Sequence, residues 1–249
     1  MKRLIATILL PILVFGIFTT NVNALSISSE KTDGTEGNYL IRIKDSTEPL
    51  KAEVVFGENT YTYELKEGDN YLPLQFGNGE YKFTIFQNIK ANIYKKVGFK
   101  TIEVSENNNP FLSNNVIIDD TYATKTIKKV EKLITKEMKT EEKVNTIYNF
   151  VIESLSYDFM KDQNKLNVMI DETFESGKGS SYDYALSTVV LLRHFNIPAK
   201  LVLGNHKDCD TPTAWVEVKV NDNFRVLDPV YERTEKYRPS GNYEKYLFY

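Results

Sequence analysis

The segment Gly177-Lys178-Gly179-Ser180-Ser181-Tyr182-Asp183-Tyr184-Ala185 is a glycine-rich turn that runs straight into an apolar helical pattern. Glycines let a backbone fold tightly, and a helix that starts at such a turn offers free N–H groups and the positive end of its dipole to the side chain mounted there. Those groups stabilise a thiolate, and later the oxyanion formed when it attacks a carbonyl. This chain places Ser181 at the junction. An alcohol is far harder to deprotonate and depends on a neighbouring base. His194 lies near the end of the helix that Ser181 begins, ~20 Å away along its axis, and cannot serve. His206 lies in Asn205-His206-Lys207-Asp208-Cys209-Asp210-Thr211-Pro212, a loop by composition that could fold back over the turn, although nothing in the spacing demands it. His206, Asp208, Cys209 and Asp210 are suitable metal donors, yet they match no usual ligand spacing, so solvated loop charge is the better reading. No phosphate-binding glycine loop, paired His-Glu helix motif or dinucleotide turn occurs elsewhere, and no cofactor is expected.

The pattern continues downstream. Phe195-Asn196-Ile197-Pro198-Ala199-Lys200-Leu201-Val202-Leu203-Gly204 is followed by Ala214-Trp215-Val216-Glu217-Val218 and then by Leu227-Asp228-Pro229. In this order and spacing the segments resemble the transglutaminase-like family, from about Lys139 to the C-terminus. Members share a papain-like Cys-His-Asp triad and usually read GKG-x-C-x-DYA at the turn. The resemblance implies that Ser181 stands at the cysteine position, Thr213 at the histidine position before the Ala-Trp pair, and Asp228 at the aspartate position. It also implies a cleft bordered by Gly179, Tyr182 and Trp215. Gly79-Glu80-Tyr81 and Asn109-Pro110-Phe111-Leu112 have counterparts in bacterial secreted members, and Tyr157-Asp158 fits the place where such a pair closes a helix.

Two of the three triad positions are therefore substituted. Thr213 can donate or accept a hydrogen bond but cannot take up a proton near neutral pH. Without an imidazole to carry the proton and be oriented by Asp228, the inherited mechanism is expected to be absent. Each position also has a plain structural reading. Ser180 or Ser181 can cap the helix with Asp183 behind it, Trp215 can be a core or cleft-wall aromatic, and Asp228 can form an Asx turn at a strand end. Leu186, Val189, Val190 and Leu192 form the buried side of the helix.

Around these residues the chain divides by period. From Tyr39 to Val104, short alternating β-branched and aromatic runs predict strands at Tyr39–Lys44, Lys51–Phe56, Thr60–Leu65, Tyr71–Pro73, Glu80–Gln87 and Phe99–Val104. Gly57-Glu58-Asn59, Gly68-Asp69-Asn70 and Gly77-Asn78-Gly79 read as the turns between them. Ser105–Pro110 reads as a linker. Beyond it, Ile127, Val130, Leu133 and Ile134, then Val144, Ile147, Tyr148 and Val151, recur at helical spacing, with Thr140 as N-cap and Glu141 and Glu142 in the first turn. The expected fold class is α+β: a β-sandwich over 25–105, a linker and first helix over 106–138, and a transglutaminase-like (papain-like) domain over 139–249, with helices packed on an antiparallel sheet.

Residues 1–24 read as a signal peptide, with Lys2 and Arg3, an apolar run broken by Pro11 and Gly16, and the small-residue site Val22-Asn23-Ala24. Its removal leaves 29 basic against 34 acidic residues, a net charge of −5, which gives no electrostatic case for nucleic acid or an anionic membrane surface. The single Cys209 can form no internal disulfide. Abundant Lys, Asn, Ile and Glu give a bacterial, AT-rich impression. The expected protein is secreted or envelope-associated, with no membrane span after signal removal. It is a catalytically silent binding module for a protein or cell-envelope ligand. The alternatives are a serine-dependent hydrolase or acyltransferase using Ser181 with a non-standard base, and a structural or adhesion role centred on the sandwich.

Overall fold

The computed structural model describes residues 26–31, 37–105, 109–158, 160–161, 169–207, 212–230 and 243–249. The expected signal peptide and Asp208, Cys209 and Asp210 lie outside them. The chain divides into two compact units with the boundary between Asn107 and Asn108.

The first unit is all β. Strands β1 (Ser26–Lys31), β2 (Asn38–Lys44) and β5 (Gly68–Pro73) form one antiparallel sheet in the order β1-β2-β5. Strands β3 (Leu50–Phe56), β4 (Asn59–Leu65), β6 (Gly79–Lys90) and β7 (Ile93–Val104) form another in the order β4-β3-β6-β7. Alternation decides which side is buried: Leu50, Ala52 and Val54, Tyr61, Tyr63 and Leu65, and Tyr81, Phe83 and Ile85 all point inward. The sheets meet where Tyr39 of β2 stacks on Phe83 of β6 at 4.3 Å between ring centroids, so the unit is a sandwich. Tyr81 bridges the turn below, accepting from the Phe76 N–H and donating to the Gly77 carbonyl, both at 3.0 Å. Burial pushes its phenol up to about 12.

The predicted strands are present with longer ends, and β1 adds to them. Gly68-Asp69-Asn70, read above as a turn, opens β5 and pairs with Ile43, Arg42 and Ile41 of β2. The Asn70 side chain makes the turn one step earlier, accepting from the Lys66 N–H at 2.8 Å and donating to the Lys66 and Gly68 carbonyls. Asn59 likewise begins β4.

The second unit contains α1 (Thr124–Val130), α2 (Thr140–Ser154), α3 (Ile170–Ser176) and α4 (Ser181–His194), and the antiparallel sheet β12-β11-β10-β13. Its strands are β10 (Ala199–His206), β11 (Thr213–Val220), β12 (Asn223–Leu227) and β13 (Tyr243–Phe248). A short parallel pair joins β8 (Ser156–Tyr157) to β9 (Lys178–Gly179). Helix α4 packs on β10 and β11 and against α2. Every residue from Ser181 to Arg193 is buried, so α4 is a central helix, covered on all sides where a one-sided buried face was predicted.

Two helix limits differ from the reading above. Helix α1 stops at Val130 because Leu133 and Ile134 both return their N–H groups to the Val130 carbonyl, which leaves Leu133 exposed. The N-cap of α2 is Lys139 and not Thr140: the Lys139 N–H is held by the Glu142 carboxylate at 2.7 Å. At the start of α1, Asp171 of α3 accepts from the N–H groups of Lys125 and Thr126 at 2.9 and 2.8 Å. Burial works to raise the Asp171 carboxyl, but those bonds and the hydroxyls of Thr126 and Thr124 outweigh it and hold the group below its ordinary range.

Candidate functional site

The turn at the head of α4 uses its two glycines for different reasons. Gly177 has φ 66° and closes α3, its N–H donating to Thr173 at 3.0 Å. Gly179 has no left-handed φ, but a Cβ there would lie 3.0 Å from Cβ of Asp183 and 3.5 Å from the Tyr184 ring. The turn is anchored to the end of α2, with Ser156 N–H donating to Gly177 and Asp158 N–H to Gly179. Tyr184 donates its hydroxyl to the Leu155 carbonyl at 2.6 Å.

Between the two serines left open as caps, Ser180 is the N-cap and Ser181 the first helical residue. The Asp183 carboxylate accepts from the Ser180 N–H and hydroxyl at 2.6 and 2.7 Å, and its other oxygen meets the Lys161 ammonium at 3.0 Å. Ser181 is 1% exposed. Its hydroxyl oxygen accepts from the Ala214 N–H at 3.3 Å, which brings the turn against the start of β11, beside Thr213.

Asp228 reaches the same strand from the other side. Leu227 pairs with Val216, and Asp228 follows at 0% exposure. One carboxylate oxygen accepts from the Val230 N–H at 3.1 Å, the Asx turn anticipated at a strand end. The other accepts from the Tyr243 hydroxyl at 2.9 Å. Tyr148 of α2 donates to the Asp228 carbonyl at 2.9 Å. Tyr243 also packs its ring on Trp215 and on His206, each at 4.7 Å.

His206 is the last residue of β10, buried at 1% and opposite Tyr243. That corrects its placement in a polar loop, because the long-range pairing with β13 extends the strand through Asn205 and His206. His194 sits at the far end of α4, facing Glu131 and Asp120 at 3.3 and 3.6 Å. The residues expected to border a cleft are sealed: Trp215 is 1% and Tyr182 2% exposed, and Gly179 is buried. Burial, with the charges of Tyr249 and Asp183, pushes the Tyr182 phenol well above its usual range. Gly204 is fixed by the same packing, since a Cβ there would strike the Glu244 carbonyl and lie 2.6 Å from the Trp215 ring. Among the described residues no cluster of three His, Cys, Asp or Glu could hold a metal.

A family model described as the Transglutaminase-like superfamily matches residues 127–229. Those residues are a transglutaminase-like domain. The match begins within α1, at Ile127, ahead of the Lys139 start of the resemblance, and ends just past Asp228. No curated protein matches the chain. Solved structures similar to it include a Cytophaga hutchinsonii protein provisionally named a cysteine protease, at 13% identity and TM-score 0.48, covering 81% of this chain and 76% of that one. The periplasmic domain of TgpA from Pseudomonas aeruginosa follows at 10% identity and TM-score 0.41, covering 76% and 89%. Red sea bream transglutaminase is similar at 11% identity and TM-score 0.29, covering 78% and 48%. These are likenesses, and the assignment rests on the family model.

Two residues of the second unit had no signal in the sequence. Tyr243 stands among several C-terminal tyrosines and is brought to Asp228 by the β10–β13 pairing alone. Lys161 reaches Asp183 across 22 positions. The Gly-Ile-Pro-like Asn196-Ile197-Pro198, in contrast, has a local cause: Asn196 adopts φ 58° to end α4, a conformation that Asn tolerates.

Proposed function

We propose that the transglutaminase-like domain is catalytically silent, and that the protein acts outside the cytoplasm as a binding module for a protein or cell-envelope ligand. Ser181, Thr213 and Asp228 stand for the family's triad. The carrying observation is the occupant of Asp228: its carboxylate receives the Tyr243 hydroxyl at 2.9 Å, in a family whose aspartate orients an imidazole. Thr213 offers no proton acceptor in its place. The Ser181 oxygen is already used as an acceptor by the Ala214 N–H. We take the organisation to be a leader over 1–24, a sandwich to 105 and the transglutaminase-like unit beyond the linker.

The test is labelling with a fluorophosphonate probe, together with an amine donor and glutamine substrate, for the native chain and Ser181→Ala. Silence predicts no labelling of Ser181 and no turnover across a range of pH. Labelling abolished by Ser181→Ala would establish the serine-dependent alternative. One observation favours that second reading: His206 is buried with its ring against the ring of Tyr243, the residue whose hydroxyl holds Asp228. If it is right, His206→Ala must also abolish labelling. The combination Ser181→Cys, Thr213→His and Tyr243→Phe is expected to give iodoacetamide-sensitive activity, since it restores the nucleophile and base and vacates the Asp228 carboxylate.

A further inference from the structure

The β6–β7 hairpin is longer than the sheet it belongs to. Both strands have 12 residues, whereas β3 has 7 and reaches only as far as Gln87, opposite Leu50. Past a last link from the Asn88 N–H to Pro49, the ribbon continues as two strands, with no third beside them among the described residues. The turn at its end is preset, with Ala91 at φ 45° and its carbonyl held by the Asn88 side chain at 2.6 Å.

On this hairpin Ile89 is 55% and Ile93 44% exposed at the projecting end, and Phe99, beside the part backed by β3, is 55% exposed. Single exposed apolar side chains need no explanation, but three large ones on one hairpin do. Between Glu80 and Glu103 the chain has five lysines, at 82, 90, 95, 96 and 100, and no carboxylate, in a protein whose net charge is −3. Lys96 lies over the Phe99 ring at 4.2 Å and Lys51 over Tyr94 at 5.1 Å. The local charge is thus opposite to the balance that argued against an anionic surface for the whole chain.

We infer that the tip of this hairpin docks on an anionic lipid bilayer, with Ile89 and Ile93 entering the boundary of headgroups and acyl chains and Lys90, Lys95 and Lys96 meeting the anionic headgroups. An interface of that kind rewards apolar insertion and positive charge together. A hydrated polyanion would use the lysines and leave both isoleucines in water. A second copy added along the open edge of β7 would bring like charges together, the arrangement by which lysines discourage edge pairing. The proposal concerns the first unit, and its failure leaves the reading of the Ser181 site untouched.

The test is co-sedimentation with vesicles of phosphatidylcholine alone and of phosphatidylcholine with phosphatidylglycerol. The full chain and a chain starting at Leu25 are compared, so that the apolar segment Leu4–Phe18 is not the source of binding. Binding should require phosphatidylglycerol, fall as salt is raised and weaken about five-fold for each lysine changed to Gln at 90, 95 and 96. Ile89→Ser with Ile93→Ser should abolish it while the circular dichroism and unfolding midpoint stay those of the native chain. Absence of binding, equal binding to both vesicles, or binding untouched by these variants overturns the proposal. So does binding to dextran sulfate that ignores the isoleucines, or a dimer lost in the Ile variants, when either occurs without vesicle binding.

Discussion

The Ser181 turn and the β6–β7 tip differ in a way that runs against their sequences. The turn has the dense motif, yet Ser181, Tyr182, Trp215 and Asp228 are at most 2% exposed. The Ser181 hydroxyl and the Asp228 carboxylate are engaged by Ala214, Val230 and Tyr243. The tip has no motif, yet it puts Ile89 and Ile93 into solvent among lysines. A motif records how a backbone must fold at a turn, whatever the side chain mounted there goes on to do. Contact surfaces need only side chains of the right kind in the open, which leaves a weaker trace in the sequence.

The comparison breaks most readily at Trp215. If it is core, Trp215→Ala should cost about 3–5 kcal/mol in urea unfolding; a loss under about 1 kcal/mol would make it a cleft wall with room to relax. Next comes Tyr243→Phe. Removing the donor to a buried carboxylate should cost about 1–3 kcal/mol, read as a lower midpoint with an unchanged denaturant slope. No loss would mean that Tyr243 is not what holds Asp228, and the case for silence would lose its main support.

Much of this was legible because its causes are local. Gly177 needs a positive φ, Gly179 a close approach, and Ser180 with Asp183 forms a capping box; each leaves its residue type at a fixed spacing. The alternation of Tyr81, Phe83 and Ile85 likewise declares an inward face. What was not legible depends on distant pairing. Tyr243 meets Asp228 only because β13 joins β10, and the same pairing converts His206 from a loop residue into a buried strand end. Asn70 was misread for a related reason: its side chain makes the turn, so its backbone is free to enter β5. The Ile89–Ile93 tip has neither period nor motif, and only the short reach of β3 reveals that it projects.

A smaller effect probes the supports of the turn. Asp171→Ala removes the acceptor for two N–H groups at the start of α1 and should cost about 1 kcal/mol at neutral pH. Because its folded carboxyl is held below the ordinary value, the contribution is complete above the unfolded pKa of about 4 and is lost as pH falls through the folded value. Unfolding curves of the native chain and the variant should therefore converge in acid; a gap independent of pH would assign the loss to packing.

The smallest expected change is in the stability of the hairpin variants, and it is the most discriminating. Ile89→Ser with Ile93→Ser should move the unfolding free energy by no more than about 0.5 kcal/mol, as for surface positions without tertiary partners. A fold that loses nothing from giving up two isoleucines was not using them for its own core. Placed beside the large loss at Trp215, that result would separate apolar residues kept for architecture from apolar residues kept for contact. A loss of about 2 kcal/mol or more would instead put Ile89 and Ile93 on the side of architecture and remove the reason for a docking surface.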